Sequence, residues 1–162
     1  MTGKTCAFTG HRTIPREVTE ELCLCLAREL EALYQMGYRT FCAGGAIGFD
    51  RMAADAVLAL RKQYPDVRLH LILPCEGQER PWRLAERLAY HKQVKAADEV
   101  TVLAKDYYDG CMQARNARLV EEANFLLCYV SRTHSGAAQT LRMAREKGIP
   151  VTNLVDVLAL KR

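Results

Sequence analysis

Five times along this chain a short, continuous apolar run gives way to a longer stretch whose apolar residues recur at helical spacing. Residues 5–9, closed by Gly10, read as a first strand. Pro15 suits the first turn of a helix, and Val18, Leu22, Leu26, Leu30 and Leu33 then mark one helical face over residues 16–36, with Gly37 as the stop. Residues 38–43 form a second strand, followed by a helix facing inward through Phe49, Met52, Ala53, Ala56, Val57 and Leu60. A third strand, residues 67–73, ends at Pro74; Pro81 opens a helix whose buried face is expected to include Trp82, Ala85, Leu88 and Ala89. Residues 100–103 and 125–130 read as the next strands, each followed by a helix, the first across Met112, Leu119 and Val120, the second through Ala138, Leu141 and Ala144 up to Gly148. A last strand covers residues 150–153. Strict alternation, with strands that are apolar throughout rather than at every second residue, demands an α/β fold: a mostly parallel sheet with helices on both faces, a three-layer sandwich.

At 162 residues the chain fits one domain, residues 1–162, large enough to bury a substantial core. With 49% hydrophobic and 26% charged residues the composition is that of a globular protein, and no stretch has the apolar length of a membrane span. The first residues resemble no signal peptide, so a cytoplasmic location is expected. The seven cysteines are scattered without CxxC pairs, several inside apolar runs; they are expected to be reduced, mostly buried thiols, with no metal site. The net charge of +4 comes from 23 basic and 19 acidic residues spread along the chain. Without a Lys/Arg block, nucleic acid is not the expected partner, although anionic ligands are mildly favoured.

In an open α/β sheet the ligand sits outside the C-terminal ends of the strands. The loops that fall there are Thr9-Gly10-His11-Arg12, Gly44-Gly45-Ala46-Ile47-Gly48-Phe49-Asp50, Pro74-Cys75-Glu76-Gly77-Gln78 and Arg132-Thr133-His134-Ser135-Gly136. Glycine beside a hydroxyl, a basic side chain or a second glycine is the usual make-up of a phosphate site, because bare backbone N–H groups at a helix start can approach an anion. The same glycines also serve a tight strand-to-helix turn through their backbone angles alone. The nearest frame to a dinucleotide fingerprint begins at Ala43, in the second unit, and reads A-x-G-x-x-G. Gly3-Lys4-Thr5 imitates the end of a Walker A motif but precedes its strand.

Thr-Gly-His-Arg after the first strand, Gly-Gly-x-x-Gly-x-Asp after the second, and Pro74, Gln78 and Trp82 after the third resemble the YpsA-like branch of the SLOG superfamily. Arg115-Asn116 and the turn from Ser135-Gly136 to Thr140 continue the likeness over nearly the whole chain. That superfamily is related to the LOG phosphoribohydrolases and to the DNA-processing protein DprA. The resemblance implies a Rossmann-like fold and a nucleotide or nucleotide-derived ligand, with ADP-ribose or an NAD derivative as candidates, and a homodimer is in keeping with it. The ligand-binding residues it implies are Thr9, Gly10, His11, Arg12, Gly44, Gly45, Gly48, Asp50, Gln78, Trp82, Arg115, Asn116, Ser135, Gly136 and Thr140.

One departure bears on catalysis. LOG-type enzymes carry Pro-Gly-Gly-x-Gly-Thr-x-x-Glu, whereas here Ser135 to Met143 contains no carboxylate and Met143 stands in the place of the glutamate. A thioether can neither share a proton nor stabilise an oxocarbenium ion. A nucleotide-binding protein in the role of a sensor is therefore the first reading. A nucleotide-processing hydrolase using His11, Asp50 or Glu76 is the second, and a DprA-like partner of single-stranded DNA the third. Asp50 suits a ribose hydroxyl or a helix start, Arg12 and Arg115 suit phosphate, and Trp82 suits either a base or the core.

Overall fold

The computed structural model describes residues 3–160. Its six strands are β1 (Lys4–Gly10), β2 (Tyr38–Ala43), β3 (Arg68–Leu73), β4 (Glu99–Val102), β5 (Phe125–Tyr129) and β6 (Val151–Asn153). The helices are α1 (Thr19–Gln35), α2 (Phe49–Gln63), α3 (Leu84–Ala96), α4 (Cys111–Glu122), α5 (Gly136–Lys147) and α6 (Leu154–Ala159). All pairings are parallel, in the order β4-β3-β2-β1-β5-β6. The chain thus builds outward from β1 through β2 and β3 to β4, then returns to lay β5 and β6 on the other side. Strand order reverses between β1 and β5, which opens a crevice at the C-terminal ends of these two strands.

The strands are apolar throughout because both of their faces are covered. Cys6 and Phe8 of β1, Leu69, Leu71 and Leu73 of β3, and Leu127 of β5 join one core with α1, α2, α6 and Tyr90 of α3. Their neighbours Ala7, Ile72, Leu126 and Cys128 point the other way, into a second core under α4 and α5. The alternation follows from the two-residue repeat of a pleated strand. Phe8 lies between Phe41, stacked at 6.2 Å, and Phe49, edge-on at 6.5 Å. Phe49 is the first residue of α2, and a side chain at Gly10 would stand 2.5 Å from it. Gly10 therefore lets α2 start directly against the end of β1, where the Phe49 N–H donates to the His11 carbonyl at 3.0 Å.

Two expectations need correction, and one helix was not anticipated. The first helix opens with a 3-10 turn, Arg16–Val18, because Pro15 is extended (ψ 134°) and remains outside it. α3 begins at Leu84, so Trp82 lies before the helix, and Ala85 and Leu88 are exposed, Leu88 by 60%. The inward face of α3 is instead Tyr90 and Gln93, because α3 docks on α2 through polar groups that apolar spacing cannot register. The Gln93 amide donates to the Arg51 carbonyl at 2.9 Å and to Asp55 at 2.8 Å, and Arg51 pairs with Glu86. Finally, α6 follows β6 at once, Asn153 accepting from the Val155 N–H at 3.2 Å, with Leu154 and Leu158 buried in the first core.

Candidate functional site

A cleft of about 310 Å³ occupies the crevice between β1 and β5. Thr9 and Gly10 enter it from the end of β1, His11 and Arg12 from the loop that follows, Asp50 from α2, Arg115 and Asn116 from α4, and Ser135 and Gly136 from the start of α5. Nine of the residues named from the sequence, far apart in the chain, thus line one space. A second cleft of about 490 Å³ shares Arg12 and Met112 with the first and adds Gln78, Trp82 and Tyr107. Two cleft residues are absent from the ligand-binding residues expected from the sequence: Met112, assigned there only to a helix face, stands between the two clefts, and Arg132 lines the first. Arg132 sits in a strand-end loop and was legible; Met112 carries no chemical signal of its own. A further cleft of about 410 Å³, between α1 and α2, holds Glu31 and Asp55 but no basic residue.

The glycines divide into two kinds. The Gly44 carbonyl accepts from Arg115 Nη1 at 2.7 Å, and a Cβ there would lie 2.6 Å from that nitrogen. Gly45 (φ +73°) backs onto Leu73, and Gly48 (φ +88°) lies against the Arg12 carbonyl, 2.3 Å from where a Cβ would stand. These three are held by contacts within the protein and line neither cleft beside Arg12. Gly136 differs, since a Cβ there would meet only Asn116 Nδ2, at 3.7 Å. Ser135 caps α5 by accepting from the Ala138 N–H at 3.0 Å, while the Gly136 and Ala137 N–H groups take no protein partner among the described residues. Unpaired N–H groups and the positive end of a twelve-residue helix therefore meet at the cleft wall.

Three guanidinium groups face this space and one carboxylate opposes them. Arg115 is only 6% exposed; its Nε donates to Asn116 Oδ1 at 2.8 Å, and among the described residues no carboxylate lies within ion-pair distance. Burial lowers its pKa, Asp50 opposing this and Arg12 adding to it. Asp50, also buried, accepts a long bond from the Ala46 N–H at 3.4 Å. Burial raises its pKa, against the pull of Arg115. His11 is fixed by the Ser131 N–H, which donates to Nε2 at 2.9 Å.

Other named residues stand elsewhere. Thr140 is fully buried, its hydroxyl donating to the Gly136 carbonyl at 2.9 Å. Glu76 is exposed and lines neither cleft beside Arg12. Gln78 donates to the Gly44 carbonyl at 3.4 Å and the Tyr90 hydroxyl at 3.3 Å, leaving its Oε1 buried without a partner. Trp82 meets the Tyr90 ring edge-on at 5.3 Å while also lining the second cleft. Met143 packs against the core beneath α4 and α5.

Strand order, glycine-bearing strand ends and a basic crevice at the reversal point define a Rossmann-like α/β protein. The chain belongs to the family described as the YspA SLOG family, whose YpsA model matches residues 16–149. It is similar to the UPF0398 protein BH1768 of Halalkalibacterium halodurans, 31% identical over 68% of this chain and 59% of that one. The UPF0398 protein ABC2016 of Shouchella clausii is 28% identical over 69% of this chain and 61% of its own length. The chain thus spans about three fifths of these relatives. Among solved structures, DNA processing protein A from Helicobacter pylori, described for its single-stranded DNA binding mode, has a TM-score of 0.66 at 20% identity, covering 99% of this chain and 73% of that one. The structure of TM1055 gives 0.58 at 20% identity, over 91% and 72%. At such identities the likeness speaks for the fold.

Proposed function

We propose that the protein binds a nucleotide or nucleotide-derived ligand, with a phosphate in the cleft between β1 and β5 and the base or sugar directed toward Gln78 and Trp82. The observation that carries this reading is Arg115, a buried guanidinium without an ion pair, in a cleft that the unpaired N-terminus of α5 also lines. A buried cation is costly unless a counter-charge completes it, and an anionic oxygen set between Arg115, Arg12 and the Gly136 and Ala137 N–H groups would do so. The second cleft continues from Arg12 past Trp82 and Tyr107, aromatic surfaces suited to a base. ADP-ribose and NAD fit this division between a charged and an aromatic half. Asp50, as the sole carboxylate of the first cleft, is suited to a ribose hydroxyl.

Binding without turnover is the form we favour, because Glu76 lines neither cleft beside Arg12 and Met143 packs against the core. A second reading, binding of single-stranded DNA, draws on the single-stranded DNA binding of the Helicobacter pylori neighbour and on the aromatic surfaces beside a basic cleft. Calorimetric titration with ADP-ribose, NAD, AMP and a short single-stranded oligonucleotide separates these readings. Saturable binding of a mononucleotide or dinucleotide, recovered intact by chromatography after long incubation, is the expected result. Cleaved product would establish the hydrolase instead. Tight, strongly salt-dependent binding of the oligonucleotide alone would move the assignment to DNA, and no binding at all would overturn it.

A further inference from the structure

His11 has the residue type most often used to carry protons near neutral pH, and it lines the cleft. Its bonding argues for a different task. A backbone N–H can only donate, so the Ser131 N–H, 2.9 Å from Nε2, requires a lone pair on that nitrogen. The proton of the neutral ring must then be on Nδ1. Among the described residues Nδ1 has no hydrogen-bond partner, yet it is not one of the buried, unpaired side-chain atoms. It therefore opens onto the cleft that His11 lines, although the residue as a whole is only 4% exposed.

We propose that His11 is a binding residue that acts as a permanently neutral imidazole, its Nδ1–H donating to an anionic oxygen of the ligand without giving up its proton. This rests on the nucleotide reading above and specifies how one contact is made. A second proton on the ring would have to sit on Nε2, facing the Ser131 N–H donor to donor and breaking the bond that orients the ring. The charged surroundings oppose protonation as well: Arg132, Arg12 and Arg115 line the same cleft, with Asp50 as the opposing charge, and the remaining close ring contact is the edge of Tyr129 at 6.1 Å. Burial, with Arg132 beside it, accordingly lowers the His11 pKa. A neutral N–H held in a low-dielectric site is an effective donor to developed negative charge and a very poor acid, so His11 adds affinity and orientation rather than proton transfer.

Two measurements test this, and the first needs no ligand. In a two-bond proton–nitrogen correlation spectrum of the full chain, His11 is expected as the Nδ1–H tautomer, unchanged between pH 6.5 and 8. An Nε2–H tautomer or an imidazolium in that range would overturn the proposal even if nucleotides bind well. The second is titration with ADP-ribose, whose diphosphate changes no charge between pH 5.5 and 7.5. A neutral donor predicts an affinity constant within about threefold across that range, whereas a cationic partner with an ordinary histidine pKa would strengthen binding by about tenfold as the pH falls. His11→Asn, which keeps an N–H near Nδ1, is expected to retain ADP-ribose affinity within about threefold. His11→Gln, which places its amide near Nε2, should lose tenfold or more, with melting curves showing that both variants fold. Equal affinity in the two variants would refute the donor role. Failure of ADP-ribose to bind wild type would count against the nucleotide reading, leaving the tautomer as an independent result.

Discussion

Gly136→Ala separates a glycine needed for a ligand from one needed for the fold. Gly136 opens α5 with φ outside the left-handed region, and its added methyl would meet only Asn116 Nδ2 at 3.7 Å, an ordinary contact. Nothing in the protein therefore resists alanine. The unfolded chain loses freedom and the helix gains a better former, so stability should rise by up to about 1 kcal/mol, a melting shift of a few degrees in a chain of this size. Binding should move the opposite way. The methyl would stand beside the cleft-lining Asn116, where an anion reaching the Gly136 and Ala137 N–H groups must approach. Loss of one charge-assisted hydrogen bond costs about 1.5–3 kcal/mol, or roughly 10- to 100-fold in the dissociation constant. Differential scanning fluorimetry and calorimetric titration with ADP-ribose on the same preparation give both numbers. A variant that is no less stable and binds as well as wild type would refute the placement of the anion at the α5 N-terminus.

Gly48→Ala should behave in the contrary manner, since φ +88° and a Cβ 2.3 Å from the Arg12 carbonyl combine a left-handed backbone with a backbone clash. A loss of about 2–5 kcal/mol is expected from thermal or urea unfolding, and a variant within 1 kcal/mol of wild type would contradict the packing described. Asp50→Asn should leave stability at pH 7 equal to or above that of wild type. The Asp50 pKa is raised on folding, so the unfolded chain ionises first as pH rises above its ordinary value near 3.8, and stability is lost from there up through the folded pKa. An uncharged side chain removes that loss; a marked destabilisation at pH 7 would show that Asp50 is held by an ion pair instead. Of the seven cysteines Cys23 is exposed and the others are buried, so a thiol reagent should label about one group quickly in the native protein and seven in denaturant. Rapid labelling of three or more would mean that the cores open far more readily than their packing implies.

Much of the fold was legible because it follows from short-range patterns. β2 coincides with its expected bounds, and Gly148 ends α5 as expected, in the left-handed conformation. The face of α3 was not legible, because Gln93, Glu86 and Arg51 join α3 to α2 through hydrogen bonds and an ion pair rather than through apolar spacing. α6 was missed because its six residues offer too little repeat to read and depend on the core beneath α1 for their burial.

For the site, the sequence by itself determined which residue types stand at strand ends: glycines beside arginines, a histidine and an aspartate. Chain connectivity requires them there once strands and helices alternate. Only the tertiary structure decided how they divide. Gly44, Gly45 and Gly48 share one motif with Asp50, yet their missing side chains admit Arg115, Leu73 and the Arg12 carbonyl, whereas Gly136 leaves its N–H at an open cleft. Glycine spacing reports that a side chain cannot be present. What fills the space is set by parts of the chain far away, and Arg115, 71 residues from Gly44, becomes its hydrogen-bond partner only when β1 comes to lie between β2 and β5.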